Sequence, residues 1–231
     1  MNEEKRELIR STNTFTDIWY YLLKRPPVKT LVRYENAEAK KNFVDSIMQR
    51  TGIDVNNYKM LNIHQVGVEA PASHVFDELM QWSGDAICWP NHIARVNLQD
   101  NNLERIKIYL FGINRKIFGM RPFHLFDLNI IRIKGVPSPY DPDNARYLLY
   151  ECKGGYPIGV FSMFVRSSIP ERGEKAMSQL FMMVSFNFYG KKTSINVFNK
   201  IWEVIHNRVT SNVVYRIKQL SEYKFDSLIG E

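Results

Sequence analysis

Residues 194–222 read SINVFNKIWEVIHNRVTSNVVYRIKQLSE, and this stretch decides the fold. Thr193 or Ser194 can cap a helix, and Phe198, Ile201, Trp202, Ile205, Val209, Val213, Ile217 and Leu220 then recur along one side at helical spacing. At about 1.5 Å per residue such a helix runs roughly 40 Å. One apolar side of that length must lie along an equally long surface, and the preceding sequence offers only one, a set of strands.

The strand candidates are 62–70, 95–99, 104–111, 116–119, 125–136, 146–153, 160–169 and 179–189. They are separated by turn-formers such as Asp100-Asn101-Asn102, the 137–144 loop, Gly154-Gly155 and Pro170-Glu171-Arg172-Gly173, with no room for crossover helices. Sequential strands without crossovers predict an antiparallel sheet. In the first strand Val66, Val68 and Ala70 share a face with His64. Pro71 then opens a short helix with Val75, Phe76, Leu79 and Met80 as its apolar stripe, and residues 85–93, carrying Cys88, read as a second short helical piece. The fold class is therefore α+β, a curved antiparallel sheet wrapped around a long C-terminal helix.

Residues 1–57 have a different texture and form an N-terminal helical extension to a domain at 58–231. Arg25-Pro26-Pro27 must break any helix crossing it, and the clearest helix runs from about Asn36 to Arg50, with Ala39, Phe43, Ile47 and Met48 striped and Gly52 as its stop. The segment 15–23, with Trp19, Tyr20 and Tyr21, has the composition of an interfacial membrane anchor. Asp17 and its shortness favour packing on the main domain or on a second subunit, so the extension either covers part of the domain or mediates a homodimer.

The chain has 231 residues, 45% apolar and 24% charged, which is enough for a full core and excludes a disordered or low-complexity chain. The net charge of +7 is scattered rather than gathered in a basic tract, which argues against a phosphate backbone and hence against nucleic acid as a partner. Cys88 and Cys152 form no CxxC or Cys/His cluster, so no metal, cofactor or disulfide framework is expected and a cytoplasmic location fits. MNEEKRELIR lacks an apolar signal core, and the longest uncharged stretch, 176–190, is too short and polar to span a membrane. No GxSxG, HExxH, Walker or GxGxxG motif occurs.

With the element order in place, local sequence adds a resemblance. Ala70-Pro71, Val75-Phe76 and Leu79, then Trp89-Pro90 with Ile93 and Val96, are similar to the opening pattern of the START-like (SRPBCC) superfamily. This is the helix-grip fold shared with polyketide cyclases and plant pathogenesis-related allergens. Phe76 stands where the common residue is tryptophan, and the resemblance covers roughly residues 60–220. Those positions are packing positions, so the resemblance speaks for the fold. It implies a cavity between sheet and helix that holds a sterol, lipid, polyketide or other apolar molecule.

On that expectation the cavity is lined by Val66, Val68, Phe126, Leu128, Ile130, Leu149, Phe161, Met163, Met182, Val184 and Phe186 from the strands and Phe198, Trp202 and Ile205 from the helix. Thioether and aromatic side chains adapt to apolar ligands, and the plain alternative is a filled core. His64 is the best polar candidate, able to bond a ligand or move a proton, against the bland reading of a strand-end histidine meeting solvent or a backbone carbonyl. Glu151 and Arg132 are the other charged groups that could turn inward, or pair with each other; His92 and Asp127 complete the acid/base set, with Asp127 alternating to the outside. Lys153-Gly154-Gly155-Tyr156-Pro157 looks like a phosphate loop but lacks a following helix, which favours a hairpin turn. The expected function is non-catalytic binding of a hydrophobic small molecule or lipid. The alternatives are a cyclase-, dehydratase- or hydrolase-like enzyme using His64 with Glu151 or Arg132, and a pocketless module that meets a protein or a membrane surface.

Overall fold

Alternating apolar residues between turn-formers produce seven strands: β1 (Met60–Val68), β2 (Ile93–Leu98), β3 (Arg105–Gly112), β4 (His124–Arg132), β5 (Ala145–Gly155), β6 (Ile158–Ser167) and β7 (Ser178–Asn187). They join in one sheet of order β1-β7-β6-β5-β4-β3-β2, and each neighbouring pair is antiparallel. β2 to β7 are therefore a meander, and the first strand closes against the last. Among the described residues three helices accompany the sheet, α1 (Ala37–Thr51), α2 (Ala72–Met80) and α3 (Asn196–Ile229). The structure is a computed structural model and describes residues 26–51, 54, 56, 58–80, 93–98, 105–112, 124–132, 145–155, 158–168, 175–187 and 196–230; in β2 to β5 the description is of the backbone, apart from Arg105 and Lys107.

Each strand presents alternate residues to opposite faces, and the register shows which residues share one. On the face toward α3, Val66 aligns with Leu180 and Val165, His64 with Met182 and Met163, Asn62 with Val184 and Phe161, and Met60 with Phe186 and Gly159. Val66, Val68, Met163, Val165, Leu180 and Met182 pack there against Val213 and Val214 of α3 and Val75 and Leu79 of α2. Full burial of each such aliphatic side chain contributes about 1.5–3 kcal/mol. On the opposite face Ile63 and Met183 meet Val44 of α1, with Phe43, Tyr34 and Phe181 around them. The described part of the N-terminal extension thus covers the back of the β1–β7 corner.

Local chemistry sets the element ends. Asn36 Oδ1 accepts from Ala39 N at 2.8 Å and starts α1. Pro71 stands just before α2, where its carbonyl accepts from Val75 N at 3.1 Å and its missing N–H costs nothing. The far end of α3 is clamped to this corner: Lys218 Nζ donates to Gly67 O at 2.9 Å, Glu222 accepts from Glu69 N at 2.8 Å, His74 Nε2 lies 3.1 Å from Ser221 O, and Lys224 pairs with Glu78. Gly159 is required by close approach, since a Cβ there would lie 2.1 Å from Ser185 O and 2.7 Å from Phe186 Cα.

β1 is an edge strand, and edges with bare N–H and C=O groups invite pairing with other chains. Here residues 30–32 cover it. Val32 N donates to Ile63 O at 2.8 Å, Gln65 N donates to Thr30 O at 2.7 Å, and Leu31 bridges His64 antiparallel.

Several expectations are corrected. α3 continues past Glu222 to Ile229, 34 residues in all or about 51 Å. Ile201, expected on the buried stripe, is 54% exposed, because the helix carries a second apolar row, Val197, Ile201 and Val204, turned away from the sheet. Leu149 aligns with Ser162 and Met183, and Glu151 with Val160 and Ser185, so both fall on the face away from α3. Arg132 aligns with Tyr150 and Glu151 with Ile131, which puts their positions on opposite faces, against the alternative in which the two pair. The strand at 116–119, the helical piece at 85–92 with Cys88 and His92, the segment 15–23 and the side chain of Phe198 lie outside the described residues.

Candidate functional site

His64 sits mid-strand on β1, on the helix face as its alternation with Val66 and Val68 requires, and is completely buried. It is not the strand-end residue of the bland reading. Its Nδ1 lies 2.9 Å from Thr30 Oγ1 and 3.3 Å from Ser211 Oγ, and these two hydroxyls are 3.0 Å apart. Its Nε2 lies 3.2 Å from Asn207 Oδ1. A neutral ring suits this shell, with one ring nitrogen donating and the other accepting. Burial pushes its pKa down to about 4, against a smaller opposing effect of the Asn207 hydrogen bond.

The partners come from a polar row on α3. Asn199, Glu203, Asn207 and Ser211 follow at four-residue spacing, so they lie on one side of the helix. In the amide orientation its neighbours favour, Asn62 donates to Leu61 O at 3.0 Å and to Glu203 Oε1 at 3.2 Å. The seam between α3 and β1 is therefore polar. It links the N-terminal extension, the sheet edge and the long helix through His64. Chemically it is a closed set: both ring nitrogens are held by protein groups, and a ligand reaching His64 would have to displace Thr30, Ser211 or Asn207.

Beyond that seam the helix face turns apolar and aromatic. Phe186, 1% exposed, stacks on His206 with ring centroids 4.2 Å apart, and Trp202 meets the same imidazole at 5.2 Å. Burial also lowers the His206 pKa to about 4. Trp202 and Ile205 are half-buried, as is Val184, which packs beside Phe161 at the margin of the core. The register carries this face outward from β6: Tyr150 aligns with Phe161, Arg132 with Tyr150, and Ile130, Leu128 and Phe126 with Ile106, Ile108 and Leu110. Asp127 falls on the other face with Tyr109, as alternation indicates. α3 packs chiefly on β1 and β7, and α2 on β5, β6 and β7.

The expected lining thus divides. Val66, Val68, Phe161, Met163 and Met182 belong to one packed core with Val184 at its edge, whereas Phe186 and Trp202 meet at His206 in the front half of α3 and Ile205 is half-buried beside them in sequence. Phe126, Leu128 and Ile130 hold positions on the same face, and Leu149 does not. Sequence reasoning missed Thr30, Asn62, His206, Asn207 and Ser211. The four-residue row from Asn199 to Ser211 was the available signal, since it interrupts an otherwise apolar helix face. Of the Lys153–Pro157 stretch, Lys153 to Gly155 end β5, which pairs antiparallel with β6, and Tyr156 and Pro157 lie outside the described residues.

No family model matches the chain, and no curated protein does. Among solved structures it is similar to the Zhui aromatase/cyclase from Streptomyces sp. R1128, at 17% identity and a TM-score of 0.45, over 71% of this chain and 93% of that one. It is also similar to a START superfamily protein from Mycobacterium smegmatis, at 9% identity and 0.44, over 73% and 98%. A third likeness is to Ara h 8.0201, at 11% and 0.39, over 68% and 97%. The observed order, an antiparallel sheet followed by a long C-terminal helix, is the α+β architecture that the sequence leads one to expect.

Proposed function

We propose that this protein binds a hydrophobic small molecule or lipid, without catalysis, between the front half of α3 and the helix face of β4 to β7. One observation carries the reading. The apolar face continues by register from Phe186 and Val184 through Phe161 to Ile130, Leu128 and Phe126, while α3 packs chiefly at β1 and β7. Phe161, Val184, Trp202 and Ile205 are the contacts we assign to the ligand. The widely separated Cys88 and Cys152 suit a cytoplasmic carrier or sensor that needs no metal or cofactor.

The catalytic alternative is weakened by His64 being enclosed by protein partners and by Glu151 lying on the far face. Native mass spectrometry of the purified chain, followed by denaturing extraction, tests the binding reading. A discrete apolar mass should travel with the protein. Val184→Trp, which adds bulk beside Phe161, should leave the far-ultraviolet spectrum intact and abolish the bound mass. A folded Val184→Trp variant that retains the same mass would overturn the assignment, as would an apo wild type showing no thermal shift across a panel of lipids and polyketides.

A further inference from the structure

The front half of α3 turns a second apolar row outward. Val197 is 68% exposed, Ile201 54% and Val204 61%. Their spacing of four and three puts them within about 60° of arc on one side of the helix. Lone exposed aliphatics need no explanation, but three in register on a single helix form a stripe that no described residue covers. The charges around it have one sign. Lys200 is exposed on its flank, and Arg208 follows on the same side one turn beyond Val204. Glu203, the acid of this stretch, is half-buried and turned toward Asn62 on the sheet side. The first turn of α3 contains no acidic residue, so the partial positive charge of the helix N-terminus adds to the cations.

We propose that this stripe docks on an anionic lipid surface, with Val197, Ile201 and Val204 entering the headgroup boundary and Lys200 meeting phosphate or carboxylate headgroups. Charge complementarity favours a membrane over a second copy of the chain. A two-fold pairing of the stripe would bring Lys200 close to its own copy with no acid among the described residues of that helix face to offset it, whereas an anionic bilayer attracts it. The net charge of +7 acts in the same direction. Among the described residues no helix is long and apolar enough to cross a membrane, so the contact is peripheral. The proposal does not depend on an internal ligand, because the vesicle assay needs none.

The test is cosedimentation of the full chain with phosphatidylcholine vesicles, alone or containing about 30% phosphatidylserine, at low salt and at about 0.5 M salt. Wild type should pellet with the anionic vesicles and be released by salt. The triple variant Val197→Ser, Ile201→Ser, Val204→Ser changes only exposed positions and should bind about tenfold more weakly, and Lys200→Glu should also weaken binding, both with unchanged circular dichroism. Failure of wild type to bind at low salt, equal binding to neutral vesicles, or wild-type affinity in the triple variant would each overturn the proposal. A dimer in analytical ultracentrifugation that the triple variant dissociates would assign the stripe to a second copy instead.

Discussion

His64 makes stability depend on acidity. Its pKa is about 4 in the fold and 6.5 in a free chain, so the unfolded state takes up a proton that the folded state refuses. The stabilising difference is complete above pH 6.5 and drains away as the pH falls toward 4, by up to about 1.4 kcal/mol per pH unit. His206, whose pKa burial lowers to about the same value, adds an effect of the same sign. Urea denaturation at a series of pH values should show this acid slope, and His64→Gln should flatten it; an unchanged slope in that variant would place the linkage elsewhere. Gly159 supplies the second residue-scale prediction. Gly159→Ala must move either Ser185 O or Phe186, whose ring holds His206, and should lower stability by about 1–3 kcal/mol or more in the same assay. That His64 faces the helix was legible from its alternation with Val66 and Val68. That it is enclosed was not, because Thr30 lies 34 positions away in sequence and Asn207 lies 143 away.

Among the elements, the short segment at residues 30–32 does the most with the least sequence. It supplies a hydroxyl to His64 and backbone bonds to the open side of β1. Val32→Pro removes the N–H that bonds Ile63 O, and should cost about 1–3 kcal/mol and produce self-association visible by light scattering. Val32→Ala keeps the N–H and should remain monodisperse; aggregation of both variants would point to lost side-chain packing instead. The strands were readable because alternation and turn-formers punctuate them, and six of the eight candidate ranges need only small shifts of their ends. The faces of β5 were not. Leu148 and Leu149 are adjacent and equally apolar, so the strand's own sequence permits either to face α3, and only its register with β6 settles that Leu148, opposite Met163, does. In α3 the rows 197/201/204 and 202/205/209 are both apolar, and the sheet's contact with the second row exposes the first.

On the scale of the whole molecule, the sheet has two distinct ends. At β1 and β7 it is covered on both faces, by α1 on one and α3 on the other, and its edge is sealed by residues 30–32. The apolar face then continues from β7 across β6 and β5 to β4, and the proposed ligand lies along it against the front half of α3. This asymmetry was only partly legible: the order of elements implied a helix gripped by a sheet, but nothing local marks the 30–32 segment as an extra sheet partner. The pairing of the first strand with the last has its own outcome during synthesis. Gln65 of β1 bonds Gln179 of β7 across 114 residues of chain. At roughly 5–20 residues per second, a ribosome leaves β1 without its sheet partner for on the order of ten seconds. Until then Val66, Val68 and Ile63 have neither neighbour strand nor long helix to shelter them, which makes the nascent chain a natural client for chaperones that hold exposed hydrophobic segments.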